Sequence, residues 1–373
     1  MLDRVTAYID TITEKKQLPL LDVLVCKNHE PIYRHTASHG NSFGDSELLC
    51  MFSCTKVLTA VCGMRLLEEG KIALEDPVSK YIPAFAEAYT LDENGNRHPE
   101  VIRVRHLFTM STGFDYNRRT PAVAKLIEEK YETATTTDIV SALIEKPLNF
   151  SPGERFLYSL SHDALGALIE TVEGMNLAEY MQKYIFDPLG MKNSTMYYEK
   201  HEHNTPKLFD ITDNGFELEN RNLYITRHPV KNYRNGGSSL ISTVEDYAIF
   251  ASTLASGGIS KNGYRLISSE SIEKMKQPYF EALNINNTYT CVQGKDYDYG
   301  LGVRVRREPL ECGIPKGEFG WDGAAGSYVL VDTDNGISVT MGMNILDWPK
   351  IFRGEHLAIA KLIYEGLEIS KNK

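Results

Sequence analysis

The sequence predicts an α/β (α+β) protein, with a sheet domain assembled from both ends of the chain and a mainly helical domain inserted between them. Three observations carry this. Strand-like runs stand near the N-terminus, at residues 20–26 and 31–36. Three more stand toward the C-terminus, at residues 299–306, 327–332 and 336–343. Between them, from Tyr81-Ile82-Pro83 to about Tyr198, apolar residues recur mainly at helical spacing. The expected division is residues 1–75 with 235–373 for the sheet domain and 76–234 for the helical domain.

The elements follow in order. Residues 1–17 read as an amphipathic helix with Val5, Tyr8, Ile9 and Ile12 on one face. The first two strands are joined by a polar turn at residues 27–30. A helix opens at Ser53, continues through Val57, Leu58, Val61, Met64 and Leu67, and stops near Gly70. Further helices are expected at 105–110, ending at Thr112-Gly113, and at 137–145, stopped by Pro147. Two more are expected at 161–172 and 177–185. Residues 200–234 are polar, rich in histidine and weakly periodic, which suits a long loop or irregular hairpin. A helix over 243–257 has Thr243 as its N-cap and Glu245 and Asp246 in its first turn. Asp334-Asn335-Gly336 is a hairpin turn between the last strands, and a helix over 352–367 closes the chain.

Composition limits what the chain does. Its 373 residues suffice for one large or two medium domains, and 42% apolar with 24% charged residues is ordinary for a soluble protein. A net charge of -10 with no basic run argues against a nucleic-acid partner. No run reaches membrane-spanning length and the N-terminus has no signal-peptide core, so the cytoplasm is the expected location. Cys26, Cys50, Cys54, Cys62, Cys291 and Cys312 form no C-x-x-C pair and read as reduced, mostly buried thiols. His201 and His203 make an H-x-H, with His228 further on, but nothing completes a ligand set. No metal and no cofactor is expected.

The chemistry begins at Ser53-Cys54-Thr55-Lys56, an S-x-x-K tetrapeptide. Helix positions three apart share a face, so the Lys56 amine can reach the Ser53 hydroxyl. A serine hydroxyl needs a nearby base to attack, and a lysine with a lowered pKa can serve. Alone, the same four residues equally describe an N-cap serine and a solvated lysine. Cys54 as a thiol nucleophile would need a histidine partner that the local sequence lacks. A second element is Tyr158-Ser159-Leu160, presented by the turn at Ser151-Pro152-Gly153-Glu154. A phenol beside an ammonium can shuttle protons, although a half-buried structural tyrosine fits the same residues. A third element is Phe319-Gly320-Trp321-Asp322-Gly323-Ala324-Ala325-Gly326-Ser327, whose small residues let a substrate approach a strand edge.

In this order the three elements resemble the serine β-lactamase and penicillin-binding-protein superfamily. The resemblance extends through Arg105 to Gly113, through Phe186-Asp187-Pro188-Leu189-Gly190-Met191, through Gly236-Gly237-Ser238-Ser239-Leu240-Ile241-Ser242-Thr243 with Asp246-Tyr247, and through Tyr299-Gly300-Leu301-Gly302. It implies an antiparallel sheet flanked by N- and C-terminal helices, with the helical domain inserted. It implies Ser53 as the acylated nucleophile, Lys56 as its activating partner, Tyr158 as general base and acid, and the backbone N–H groups of Ser53 and Ala324 as the oxyanion hole. Trp321, Gly323 and Leu160 would bind substrate.

Two departures narrow the choice. The peptidases and β-lactamases of this superfamily usually carry Asn where Leu160 stands and Lys where Trp321 stands. Tryptophan offers an apolar face and one N–H but no charge for a substrate carboxylate, and an ionised Asp322 beside it would disfavour an anion further. The pattern is similar to the β-lactamase-like family VIII carboxylesterases. A carboxylesterase or acyltransferase for neutral, partly apolar esters is therefore expected. The alternatives are a β-lactamase or D-alanyl carboxypeptidase/D-aminopeptidase-type amidase, and an acyl-binding sensor without turnover. The partner is a small-molecule ester or amide. His162 is open between lining the site and a core-edge position. Arg304 and Arg306 share one strand face, expected to be solvated rather than to flank the site. Tyr116 and Tyr233 are loop aromatics able to wall a pocket.

Overall fold

Helix α1 (Asp3–Lys16) buries Val5, Ile9 and Ile12, the stripe that the spacing predicts. Strand β1 (Leu21–Lys27) turns at Asn28 and His29, both at positive φ, into β2 (Glu30–Ala37). The two-residue strand β3 (Leu49–Cys50) leads to a 3₁₀ turn at Phe52–Cys54 and then to α2 (Thr55–Glu68). A small hairpin, β4 (Tyr89–Leu91) with β5 (Arg97–Pro99), precedes α3 (Val104–Phe108), α4 (Pro121–Lys130), α5 (Thr136–Leu143) and α6 (Ser161–Glu173). Helix α7 (Leu177–Met181) runs through a π-helical turn at Gln182–Phe186. Strands β6 (Phe209–Thr212) and β7 (Gly215–Leu218) pair, and β8 (Ile241–Ser242) pairs with β3. Helices α8 (Val244–Ala255) and α9 (Ser269–Met275) follow. The last strands are β9 (Tyr297–Tyr299), β10 (Arg304–Arg306), β11 (Phe319–Asp322), β12 (Tyr328–Asp332) and β13 (Ile337–Gly342), and α10 (Glu355–Gly366) comes last. The computed structural model describes residues 2–40, 47–197, 206–213, 215–218, 228–279, 296–346 and 354–369.

Seven strands form one sheet in the order β2-β1-β13-β12-β11-β10-β9, with every adjacent pair antiparallel. The expected antiparallel sheet with terminal helices is therefore present. Its two faces explain why β1 reads as a nearly continuous apolar run. Leu21, Val23 and Val25 join the core under α1 and α10, while Leu24 and Cys26 join the larger core built around α2 and α8. Asp22 interrupts the run and is satisfied from β2, its carboxylate accepting from Arg34 (3.1 Å) and Thr36 (3.0 Å). Thr243 caps α8 by accepting from the Asp246 N–H, as its position suggested. Asp332 closes the 334–336 turn by accepting from the N–H groups of Asp334 and Asn335.

Three differences from the sequence reading have physical causes. Residues 299–306 make two strands, not one, because the chain reverses at residues 300–303, where Gly302 adopts φ +85°. The β4–β5 hairpin lies outside the sequence reading because its strands are only three residues long, too short for a period to show. It is closed by the Asp92 carboxylate, which accepts from the N–H groups of Asn94 and Asn96. Third, Arg304 and Arg306 are not solvated. Both are buried, and Arg304 Nη2 and Arg306 Nε each donate to the buried Glu318 at 3.2 Å. Arg306 also donates to the Tyr297 hydroxyl, and Arg304 lies over the Tyr328 ring. Removing one charge from such a cluster leaves the others buried and unpaired. Glu318→Gln should therefore cost about 3–5 kcal/mol, read as a lower denaturant midpoint at unchanged slope. An unmoved midpoint would refute this account of the cluster.

Helix α2 positions the site. Residues 55–64 are buried on every side, as for a helix packed in the interior, between α6 and β11. Among the described residues no helix is long and apolar enough to cross a membrane.

Candidate active site

Ser53 lies in the 3₁₀ turn just before α2, rather than on the α-helix itself. The turn is strained, since the preceding Phe52 adopts φ +43°, a conformation that costs a bulky residue about 1–3 kcal/mol. Packing holds it there. Phe52 is buried with Cys50, Leu208, Ala325 and Leu346. Hydrogen bonds from Ser327 Oγ to Met51 O (2.7 Å) and from Tyr247 Oη to Cys54 O (2.8 Å) fasten the backbone on either side. Ser53 is left partly exposed while Phe52 and Cys54 beside it are buried.

Lys56 is fully buried, and its Nζ lies 3.1 Å from Ser53 Oγ. The same amine donates to Gly237 O at 2.7 Å and sits 4.7 Å from the centre of the Tyr158 ring. Gly236 and Gly237 are needed for this approach. A Cβ on Gly236 would come within 2.4 Å of His162 O, and one on Gly237 within 3.2 Å of Lys56 Nζ. Thr55 and Thr59 fix the segment further, with Thr55 Oγ1 accepting from Leu240 N (3.1 Å) and Thr59 Oγ1 donating to Gly236 O (2.7 Å).

Tyr158 stands three residues before α6, in irregular chain rather than at the start of the helix. Aromatic contacts hold it on two sides. Trp321 stacks on it at 5.5 Å between ring centres and donates its indole N–H to Tyr158 Oη at 3.1 Å. Tyr116 packs against it at 5.4 Å and is 46% exposed, so it forms the outer wall. Trp321 itself is fully buried, with Tyr299 edge-on at 5.1 Å. The open apolar face expected of Trp321 is thus covered, and its N–H is engaged with Tyr158.

Strand β11 carries Trp321 and Asp322 and ends at Gly323, where a Cβ would collide with Ser327 Oγ at 1.9 Å and Met51 O at 2.4 Å. Ala324 follows and is exposed. Asp322 turns away from this edge toward the Arg304 cluster, with Oδ2 3.6 Å from Arg304 Nη1. Burial raises its carboxyl to about 6 and Arg304 opposes the rise. Because Arg304 balances it, the expected repulsion of anionic substrates by Asp322 does not hold. Cys54 is fully buried, donates to Trp321 O at 3.6 Å, and is pushed up to about 12 by burial, so its thiol is inert.

Two further residues singled out from sequence are buried. Leu160 is 1% exposed and packs in a satellite core with Ile139, Leu143 and Tyr233, so its side chain does not face the serine. His162 is fully buried beneath α2, with its Nε2 3.3 Å from Phe108 O. Burial first, then the Lys56 charge, lowers it to about 3, which keeps it neutral. His228 pairs with Ser239 Oγ at 2.9 Å, while His201, His203 and Cys291 lie outside the described residues. One charged group was not singled out from sequence. Asp163 is 1% exposed, and its Oδ1 accepts from Gly237 N at 3.0 Å. Its only sequence signal is an acid inside an otherwise apolar helical stripe.

Comparison with known proteins bears on the family and the fold. A family model described as Beta-lactamase matches residues 5–363. Lovastatin esterase of Penicillium rubens is 31% identical over 173 residues, 44% of this chain and 43% of that protein. A putative D-alanyl-D-alanine carboxypeptidase of Escherichia coli K12 is 24% identical over 87% of this chain and 78% of its own length. Among solved structures, EstCE1, described as a hydrolase with promiscuous acyltransferase activity, superposes with a TM-score of 0.77. It is 21% identical, with 97% of this chain and 98% of EstCE1 covered, so the likeness is one of fold.

Proposed function

Since the chain belongs to the β-lactamase family, an enzyme superfamily of hydrolases, we propose that it is a serine carboxylesterase or acyltransferase for neutral, partly apolar esters, working through an acyl-enzyme on Ser53. The observation that carries this reading is the buried Lys56 amine 3.1 Å from the Ser53 hydroxyl. In the first step the Ser53 proton passes to Lys56 or Tyr158 as Oγ attacks the ester carbonyl. The oxyanion so formed is held by the N–H groups of Ser53 and Ala324. Collapse expels the alcohol, which takes a proton from Tyr158. Water, or an acceptor alcohol or amine, then attacks the Ser53 ester as Tyr158 takes its proton, and that proton returns to Ser53 Oγ as the ester bond breaks.

The preference for esters over β-lactams and peptides rests on Trp321. Where related peptidases keep a lysine for the substrate carboxylate, this chain keeps a neutral indole whose N–H is committed to Tyr158. The carboxypeptidase relative makes the amide alternative the one to test against. We expect kcat/KM for p-nitrophenyl butyrate to exceed that for nitrocefin by at least about tenfold. Faster nitrocefin turnover would overturn the ester preference.

A further inference from the structure

We infer that Asp163 is a positioning residue that holds the charge balance of Lys56 and Tyr158 during acylation of Ser53, acting across Gly237. The inference rests on the reading of Ser53 and Lys56 given above.

The geometry places the carboxylate behind the lysine. Asp163 Oδ1 accepts from Gly237 N (3.0 Å), and Gly237 O accepts from Lys56 Nζ (2.7 Å). A Cβ built on Gly237 would lie 3.2 Å from both Asp163 Oδ1 and Lys56 Nζ, so at most the width of one methyl group lies between them. Asn235 Oδ1 shares the Gly237 N–H at 2.7 Å and keeps that peptide in register. A neutral residue would satisfy this backbone donor equally well, so the hydrogen bond alone does not require an acid.

The charged and titratable groups that face the carboxylate come from three elements. Lys56 approaches from α2, Arg118 from the segment between α3 and α4, and Tyr233 from the segment before Gly236. On α6 itself the neighbouring His162 is neutral. Burial raises the Asp163 carboxyl above its ordinary range, and Arg118 and then Lys56 oppose part of that rise. The Tyr233 hydroxyl is buried without a well-formed hydrogen bond among the described residues, yet lies close enough to favour the ionised carboxylate. Two cations thus face one buried acid.

The sign of the effect is fixed. A negative charge beside Lys56 favours its protonated form and opposes loss of a proton from Tyr158. Removing that charge lets both groups deprotonate at lower pH. The limb of the kcat/KM profile that rises with pH must then move down.

The test is the pH dependence of p-nitrophenyl butyrate hydrolysis by wild type, Asp163→Asn and Tyr233→Phe, with folding checked by near-ultraviolet circular dichroism. Asp163→Asn should shift the rising limb by about one pH unit toward acid, while KM for this uncharged ester stays within about twofold. Tyr233→Phe weakens the ionised carboxylate without removing it and should shift the limb the same way by less. Variants that lose activity equally at every pH, with the limb unmoved, would show a structural role only and overturn the inference. Should Asp163→Asn fail to fold, the Tyr233→Phe profile decides on the same terms. A wild type without Ser53-dependent turnover overturns the underlying reading. Ser53-dependent turnover with unmoved limbs overturns the Asp163 inference alone.

Discussion

Ser53→Ala is expected to remove ester turnover by at least about a thousandfold while leaving the fold intact. The hydroxyl is the atom that forms the ester, and alanine cannot replace it. Little stability should be lost with it, because the side chain is partly exposed and contributes no core packing. The strained turn around it is held by Phe52, Ser327 and Tyr247, none of which the substitution touches. Lys56→Met should lose about as much activity for a different reason. It leaves the nucleophile in place but without its base. It also leaves Gly237 O without that donor and Asp163 with one cation fewer, so the variant should be less stable than wild type although an apolar chain of similar length fills the space. The double variant should be no slower than either single one, because two groups that act as a unit are lost only once. Steady-state kinetics, thermal unfolding and intact-mass detection of a fluorophosphonate adduct on Ser53 check these outcomes together. A Lys56→Met variant that keeps a tenth or more of wild-type activity would remove the lysine from the proposed mechanism.

The architecture and the three short elements were legible in the sequence because each rests on local rules. The periodicity of Val5, Ile9 and Ile12 gave α1, and Thr243 with Asp246 gave the start of α8. The S-x-x-K spacing foretold that Lys56 would meet Ser53, because three residues along a helical turn bring side chains together whatever the surroundings. The meeting of Ser53, Tyr158 and Trp321 was legible only through the resemblance of their order along the chain. No local rule joins residues more than a hundred positions apart.

What escaped the sequence was direction and burial. Alternation predicts that Arg304 and Arg306 share a face, and they do, but the solvated face was the wrong choice because Glu318 lies opposite them in the interior. That pairing depends on register between β10 and the chain entering β11, which the pattern of either segment cannot supply. Asp163 was hidden for a similar reason. An acid in the first turn of a helix is ordinarily a solvated group that complements the helix dipole, and only the packing of α6 against α2 and Gly237 turns it inward. Trp321 was read correctly as neutral but not as buried. Its partner Tyr158 arrives from the helical part of the chain and covers its face.

That burial gives Trp321 a different task, and the kinetics of Tyr158 expose it. Tyr158→Phe removes the proposed proton carrier and should lower kcat by about 10²–10⁴-fold, while the ring keeps its contacts with Trp321, Tyr116 and Lys56. Trp321→Phe keeps an aromatic ring beside Tyr158 but deletes the N–H donated to its oxygen. An N–H aimed at that oxygen favours the phenolate over the phenol, so its loss should raise the Tyr158 pKa, leave less phenolate at neutral pH and cost about tenfold in kcat/KM. If the indole acts through Tyr158, its removal from a Tyr158→Phe background should cost almost nothing further, because the oxygen it serves is already gone. If Trp321 instead bound substrate directly, the two losses would multiply. Multiplying losses in the double variant would return Trp321 to the substrate pocket, whereas a double variant no slower than Tyr158→Phe would mark the indole as the group that tunes the base.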